Sequence, residues 1–232
     1  MVFVLPALWD DPYEDIGTYM HWREPNLDRM RGLEEYLNPV YAQCWSNTEE
    51  SDTLLRAYSR VVKDSRHQRN LHPGNEGVRV TSTPRKLLQL VESNERQLSD
   101  FDIYAGAVKY MSTDDVGAHV LQKEREVGIQ NIGSGRNRAE TLLLKRSEFS
   151  SENEVRILLV KKSIKTPKDK NVLSIRFDPS EVFDKIVLDP RLVMFEADER
   201  KDWLKRRGYK GTIYQSGLYI GRRYNLIDKE SI

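Results

Sequence analysis

The chain has 232 residues, 38% of them hydrophobic, and a formal net charge of +1 from 37 basic and 36 acidic side chains. That apolar share supports a packed core and excludes wholesale disorder, while the balanced charge excludes a global field drawing the protein onto nucleic acid or an anionic membrane. A lone cysteine, Cys44, excludes an internal disulfide and the clustered thiolate sites that hold structural zinc.

The chain opens on an apolar stretch, residues 1–5, that reads as a strand starting on the initiator itself, and residues 6–14 read as a loop. So abrupt a start carries the expectation of a domain lacking its opening strand. No basic segment precedes the apolar residues 2–9, and Asp10 and Asp11 follow directly, unlike a secretory leader. With no apolar run near the ~18 residues a bilayer requires, the expected compartment is the cytoplasm and no membrane partner is expected.

Residues 26–37 space Leu27, Met30, Leu33 and Leu37 at helical intervals after Pro25, which predicts a helix ending at Asn38-Pro39. Residues 40–46 (VYAQCWS) read as a strand, followed from Ser51 by a helix with Leu54, Leu55, Tyr58, Val61 and Val62 on one face. The polar, basic, aperiodic residues 63–75 read as a mobile loop. Residues 77–82 alternate as a strand does, and Thr83-Pro84 then supply an N-cap and a first-turn proline for the next helix. A strand at 102–110 precedes a helix capped at Ser112 with an acidic first turn, and the NIGSGR step at 131–136 breaks the chain before another helix. The remainder is richer in strands, at 154–160, 172–177, 185–188, 211–214 and 218–224, with one helix at 196–207 closed by Gly208. Late strands that follow one another without alternating helices predict an α+β fold: one domain over residues 1–232, with a mixed, largely antiparallel sheet flanked by helices.

The segment KRSEFSSENEVRILLV at 145–160 carries the most chemistry. A strand beginning near Glu152 places Glu152, Glu154 and Arg156 on one face, a carboxylate pair with a guanidinium, suited to holding a sugar hydroxyl and stabilising positive charge on carbon. The competing reading is a solvated strand edge with cross-strand ion pairs. Ser46, Asn47 and Thr48 place small hydrogen-bonding groups at a sheet rim beside Trp45, either positioning a ligand or stopping the strand ahead of a helix cap. Cys44 reads as an inert buried thiol. The acidic residues Asp10, Asp11, Glu14 and Asp15 read as a loop facing water, or as a cation site. His21, His67, His72 and His119 have no metal-ligand spacing. The basic run Arg56, Arg60, Lys63, Arg66, His67 and Arg69 reads as a solvated helix face, or as a phosphate or nucleic-acid contact.

Four landmarks taken together resemble a widespread bacterial family that is still a domain of unknown function: WDDPYE at 9–14, CWS at 44–46 with LLRAY at 54–58, ENEVR at 152–156, and SGLY at 216–219. That family in turn resembles ADP-ribosyltransferases, in which a small-residue strand borders the NAD site and a late Glu-x-Glu grips the nicotinamide ribose. The resemblance implies NAD as co-substrate, with Glu154 as the catalytic carboxylate, Glu152 orienting the acceptor, and Ser46 with Thr48 and Trp45 at the NAD site. It further implies a bacterial or phage enzyme, a toxin or defence effector acting on a protein or nucleic-acid target. Thr81-Ser82-Thr83 competes with Ser46 for the small-residue strand. One departure stands out: such transferases bind NAD phosphates or adenosine ribose with an Arg or His on their first strand, and here the nearest counterpart, Met20-His21-Trp22-Arg23, follows the DPYE loop. A non-catalytic binding domain using residues 56–69, and a metal-assisted hydrolase built on Asp10, Asp11, Glu152 and Glu154, are the alternatives.

Overall fold

A computed structural model describes residues 1–24, 29–164 and 171–221. The fold is α+β, with helices flanking a mostly antiparallel sheet. The chain gathers into two compact units, the first formed by residues 1–49 and 88–177 and the second by residues 50–87 and 178–232. Among the described residues, no helix is long and apolar enough to cross a membrane.

The first unit is organised by a five-stranded sheet whose order is Val172–Ser174, Val2–Val4, Val40–Ser46, Glu154–Lys161 and Phe101–Ala107. Every pairing in it is antiparallel. The strand Glu154–Lys161 lies between two long neighbours and is buried on both faces, which is why its sequence reads as an almost continuous apolar run. On one face Val40, Ala42, Leu158 and Val160 pack with Ala139 and Leu142 into a core. Towards the start of the strand that same face carries Arg156 and Glu154, so the charged residues continue the core stripe rather than lying on a solvated edge. Gly106 is directly across from Arg156, and a Cβ there would meet Leu143 at 2.5 Å. Glycine therefore leaves room for the Leu143 side chain against the strand.

The helix predicted at 26–37 is not formed where the structure describes it. Strands His21–Glu24 and Arg29–Gly32 pair as an antiparallel hairpin, followed by the 3-10 turn Leu33–Tyr36. Met30 is 60% exposed while Leu33 is buried, so the helical spacing does not mark one face. Gly32 disfavours a helix interior, and Trp22 packs edge-on against Tyr36 at 5.9 Å to hold the hairpin down. Leu27, the first member of the pattern, lies outside the described residues.

Elsewhere the capping signals are realised. The Ser51 hydroxyl accepts the Leu54 N–H to start Asp52–Tyr58, and the Ser112 hydroxyl accepts the Asp115 N–H to start Thr113–Val127. The expected strand at 102–110 is two strands, Phe101–Ala107 and Lys109–Met111, the second paired in parallel with Leu144–Arg146.

The second unit holds a three-stranded sheet in which Lys185–Leu188 pairs in parallel with Thr212–Gln215 and antiparallel with Val78–Thr81. Its core is Ile186, Leu188, Leu192, Ala197 and Tyr209. The helix Met194–Arg206 ends ahead of Gly208, whose φ of 97° serves the left-handed stop expected from the sequence. The strand expected at 218–224 is absent over its described part, where Leu218 and Tyr219 form a turn; from residue 222 it lies outside the described residues. The loop at 63–75 is pinned: Asn70 accepts the N–H groups of Val62 and His72, and Asp64 accepts those of Arg66, His67 and Arg69.

Candidate functional site

The site forms at the charged end of the strand Glu154–Lys161, within the first unit. The Lys145 ammonium is buried, and three carboxylates converge on it: Glu152 at 2.5 Å, Glu14 at 3.0 Å and Glu154 at 3.3 Å. Arg156, fully buried, donates from Nε to Glu154 Oε2 at 2.8 Å and from Nη1 to the Leu142 carbonyl at 2.7 Å. Its Nη2 pairs with Glu14 and, at 2.7 Å, with Glu154. The Trp9 ring covers the guanidinium at 4.6 Å, a cation–π contact in a dry setting.

The DPYE loop supplies the far side. Asp11 caps it by accepting the Tyr13 N–H and takes a two-point contact from Arg146, while Asp15 takes a bidentate pair from buried Arg138, both bonds at 2.6 Å. Asp11, Glu14 and Asp15 are therefore buried and ion-paired, not facing water as expected. Burying a carboxylate is costly unless it meets a cation, and here each finds one.

Glu152 reaches the cluster by a route other than the expected one. It belongs to the 3-10 turn Ser147–Glu152, not to the strand, and Asn153 then takes a left-handed conformation (φ 46°, ψ 56°) that Asn tolerates better than most side chains. Ser46 stands directly across from Glu154 in the register, and its hydroxyl donates to the Glu152 carbonyl at 2.6 Å. The same oxygen accepts the Thr48 N–H at 3.0 Å, and the Asn47 N–H donates to the Asn153 carbonyl at 2.9 Å. Ser46 thus latches the turn that presents Glu152. Thr48 joins through its backbone. Trp45 does not join: it pairs with Val155 on the opposite face of the strand, and its indole N–H donates to Gln43. The aromatic on the carboxylate face is Trp9.

Three carboxylates face two cations, which leaves the group one negative charge in excess when all are ionised. The excess falls on Glu152. Burial raises its pKa, and a hydrogen bond shared with Glu154 raises it further against the pull of Lys145. For Glu154 burial acts upward too, but Arg156, the Glu152 hydrogen bond and Lys145 outweigh it and hold the carboxyl below its ordinary range. A proton taken up by the cluster therefore goes to Glu152 before Glu154 and turns it into the donor of that shared bond. Cys44, across from Arg156, reaches solvent instead of being buried as expected. Protein packed round its sulfur nevertheless pushes the thiol up to about 12, with Arg156 opposing and Glu154 and Glu14 adding to the rise, so it stays protonated and is no nucleophile.

A scan against protein-family models, a search of curated proteins and a search of solved structures returned no match to this chain. The function must be argued from the site. Sequence reasoning found Glu152, Glu154, Arg156 and Ser46, which the structure brings together, and it missed the roles of Glu14 and Lys145. A signal for each was present: Glu14 is the last residue of the DPYE landmark and Lys145 opens the charged segment that ends in Arg156. Among the described residues, no group of three His, Cys, Asp or Glu side chains is arranged to hold a metal ion. The point where three carboxylates converge is filled by the Lys145 ammonium.

Proposed function

We propose that this chain is an ADP-ribosyltransferase-like, NAD-consuming enzyme in which Glu154 is the catalytic carboxylate and Glu152 orients the acceptor. The observation that carries the reading is a pair of carboxyl groups converging on one buried ammonium, Glu152 with its pKa raised by burial and Glu154 with its pKa lowered by Arg156, beside the Ser46 hydroxyl. The acceptor is a protein or nucleic acid, and the role is that of a bacterial or phage toxin or defence effector.

Breaking the bond between nicotinamide and the ribose anomeric carbon sends the bonding electrons out with nicotinamide and leaves an oxocarbenium-like sugar. A carboxylate fixed beside that carbon lowers the energy of the charged transition state more than that of bound NAD. The acceptor oxygen then bonds to the anomeric carbon and its proton leaves to water. Glu152, able to donate and accept while protonated, positions that oxygen. A carboxylate next to a carboxylic acid also suits the ribose hydroxyls, which need one acceptor and one donor. Lys145 and Arg156 are committed to carboxylates, so the diphosphate of NAD takes no contact from this cluster.

A second reading is favoured by one observation: both oxygens of Glu154 are already engaged, one by Lys145 and the other by Arg156. In that reading the cluster is a clamp fixing the DPYE loop to the sheet of a non-catalytic binding domain. Calorimetric titration with NAD, together with mass spectrometry for released nicotinamide, separates the two. The enzyme reading requires NAD binding and nicotinamide release by the wild type, with release lost in Glu154→Gln. A folded wild type that neither binds NAD nor releases nicotinamide leaves the clamp.

A further inference from the structure

The second unit carries an open pocket of about 470 Å³ that the chemistry above does not use. Its wall includes Arg56, Arg60 and Arg191 with Tyr58, Ser59 and Asn75. Three arginines lining one pocket of this size call for an explanation, because like charges repel unless something negative lies between them.

Arg191 is fixed in place. Its Nε and Nη2 grip Asp189, at 2.9 and 2.6 Å, and Nη2 also donates to the Ser59 carbonyl at 2.7 Å. Asp189 is itself 1% exposed, takes the Ser59 hydroxyl at 2.5 Å, and is kept ionised by Arg191 and Ser59 against the upward push of burial. Ser59 in turn accepts the Gly77 N–H at 2.9 Å. A Cβ on Gly77 would meet the Tyr58 carbonyl at 2.5 Å, so glycine permits this closure. A buried carboxylate, a hydroxyl and a close backbone approach thus converge to aim one guanidinium, and its Nη1 has no partner among the described residues.

Arg56 spends Nε on Asp52 and Nη2 on the Tyr219 hydroxyl. Arg60 makes no ion pair among the described residues and is exposed. Two carboxylates, Asp52 and Asp189, therefore answer three arginines of the pocket wall, which leaves one positive charge and several N–H donors unanswered among the described residues. Guanidinium forks match phosphate oxygens in shape and charge, and a pocket within the roughly 300 to 1,000 Å³ of small-ligand sites admits a nucleotide.

We infer that this pocket binds a phosphate-bearing small molecule of nucleotide size, its phosphate held by Arg191, Arg60 and Arg56. The test titrates the full chain calorimetrically with inorganic pyrophosphate, ADP, adenosine and a single-stranded RNA oligomer. ADP and pyrophosphate bind, and adenosine, which has no phosphate, does not. Arg60→Ala removes an exposed, unpaired side chain and leaves the fold intact; it weakens ADP binding at least about tenfold, the effect of one charge-assisted contact. Arg66→Ala removes the same charge from the neighbouring loop, outside the pocket, and leaves ADP affinity unchanged. Equal losses in the two variants would make the attraction a property of the basic segment as a whole and overturn the inference. Absence of ADP and pyrophosphate binding would do so too, as would binding confined to RNA. None of these readouts depends on nicotinamide release.

Discussion

Replacing Lys145 with methionine puts the charge count of the site to a direct test. The variant keeps most of the alkyl volume but leaves Glu14, Glu152 and Glu154 facing Arg156 alone, so a neutral cluster needs one proton more than in the wild type. Holding one extra carboxyl protonated, against an ordinary pKa near 4.3, costs about 3.7 kcal/mol at pH 7 and about 1 kcal/mol at pH 5. The first figure agrees with the roughly 3 to 5 kcal/mol lost when a buried ion pair is broken by deleting one partner. The sign follows from the direction of the shift: a carboxyl whose folded pKa is raised favours the native state at low pH and loses that advantage as pH rises. Urea unfolding of both proteins at pH 5, 6 and 7 should give a deficit that grows by about 1.4 kcal/mol per pH unit, with unchanged denaturant sensitivity. A deficit under about 1 kcal/mol at pH 7, or one equal at all three pH values, would refute the argument that the three carboxylates share one electrostatic balance.

Glu154→Gln leaves Glu14 and Glu152 balancing Lys145 and Arg156, so its unfolding free energy should stay within about 1.5 kcal/mol of wild type while nicotinamide release falls by at least about a hundredfold. Glu152→Gln supplies a permanent donor to Glu154; since the wild-type carboxyl is raised and loses stabilising power as pH rises through its folded value, the variant should gain on wild type between pH 5 and pH 8 in urea titrations, and a relative loss would contradict the assignment of the proton. Asp189→Ala strands Arg191, and should cost about 3 to 5 kcal/mol at pH 7 by chemical unfolding. Because the folded pKa of Asp189 is lowered, that deficit should persist at and above the unfolded carboxylate range and shrink only as pH falls through the folded value.

Much of the fold was legible because short-range chemistry decides it. Ser51 and Ser112 cap helices in the structure as their hydroxyls predict, and strand Lys185–Leu188 has the bounds its β-branched run suggests. The misreading at 26–37 arose where spacing and long-range pairing disagree: Leu33 reaches a core, but Met30 pairs with Arg23 across a hairpin, and nothing in a window of a dozen residues weighs that pairing against a helix. The four landmarks meet in pairs. The DPYE loop meets ENEVR through Glu14, Glu154 and Arg156, and LLRAY meets SGLY where Arg56 donates to the Tyr219 hydroxyl, each joining residues more than a hundred positions apart.

The site itself was half legible, and the missing half explains its chemistry. Period-two reasoning places Glu154 and Arg156 on one face because a strand enforces it, and it reached Glu152 by the wrong path, since the 3-10 turn and left-handed Asn153 return that carboxyl to the same point. Lys145 was out of reach of such reasoning. It arrives on Leu144–Arg146, a strand paired in parallel with Lys109–Met111, and a parallel pairing of residues 35 positions apart leaves no periodic trace. Without Lys145, Glu152 and Glu154 are two repelling carboxylates whose protonation cannot be argued. With it, three carboxylates answer two cations, burial gives Glu152 the higher proton affinity, and Glu154, held below its ordinary range, is the negative charge on which the proposed chemistry depends.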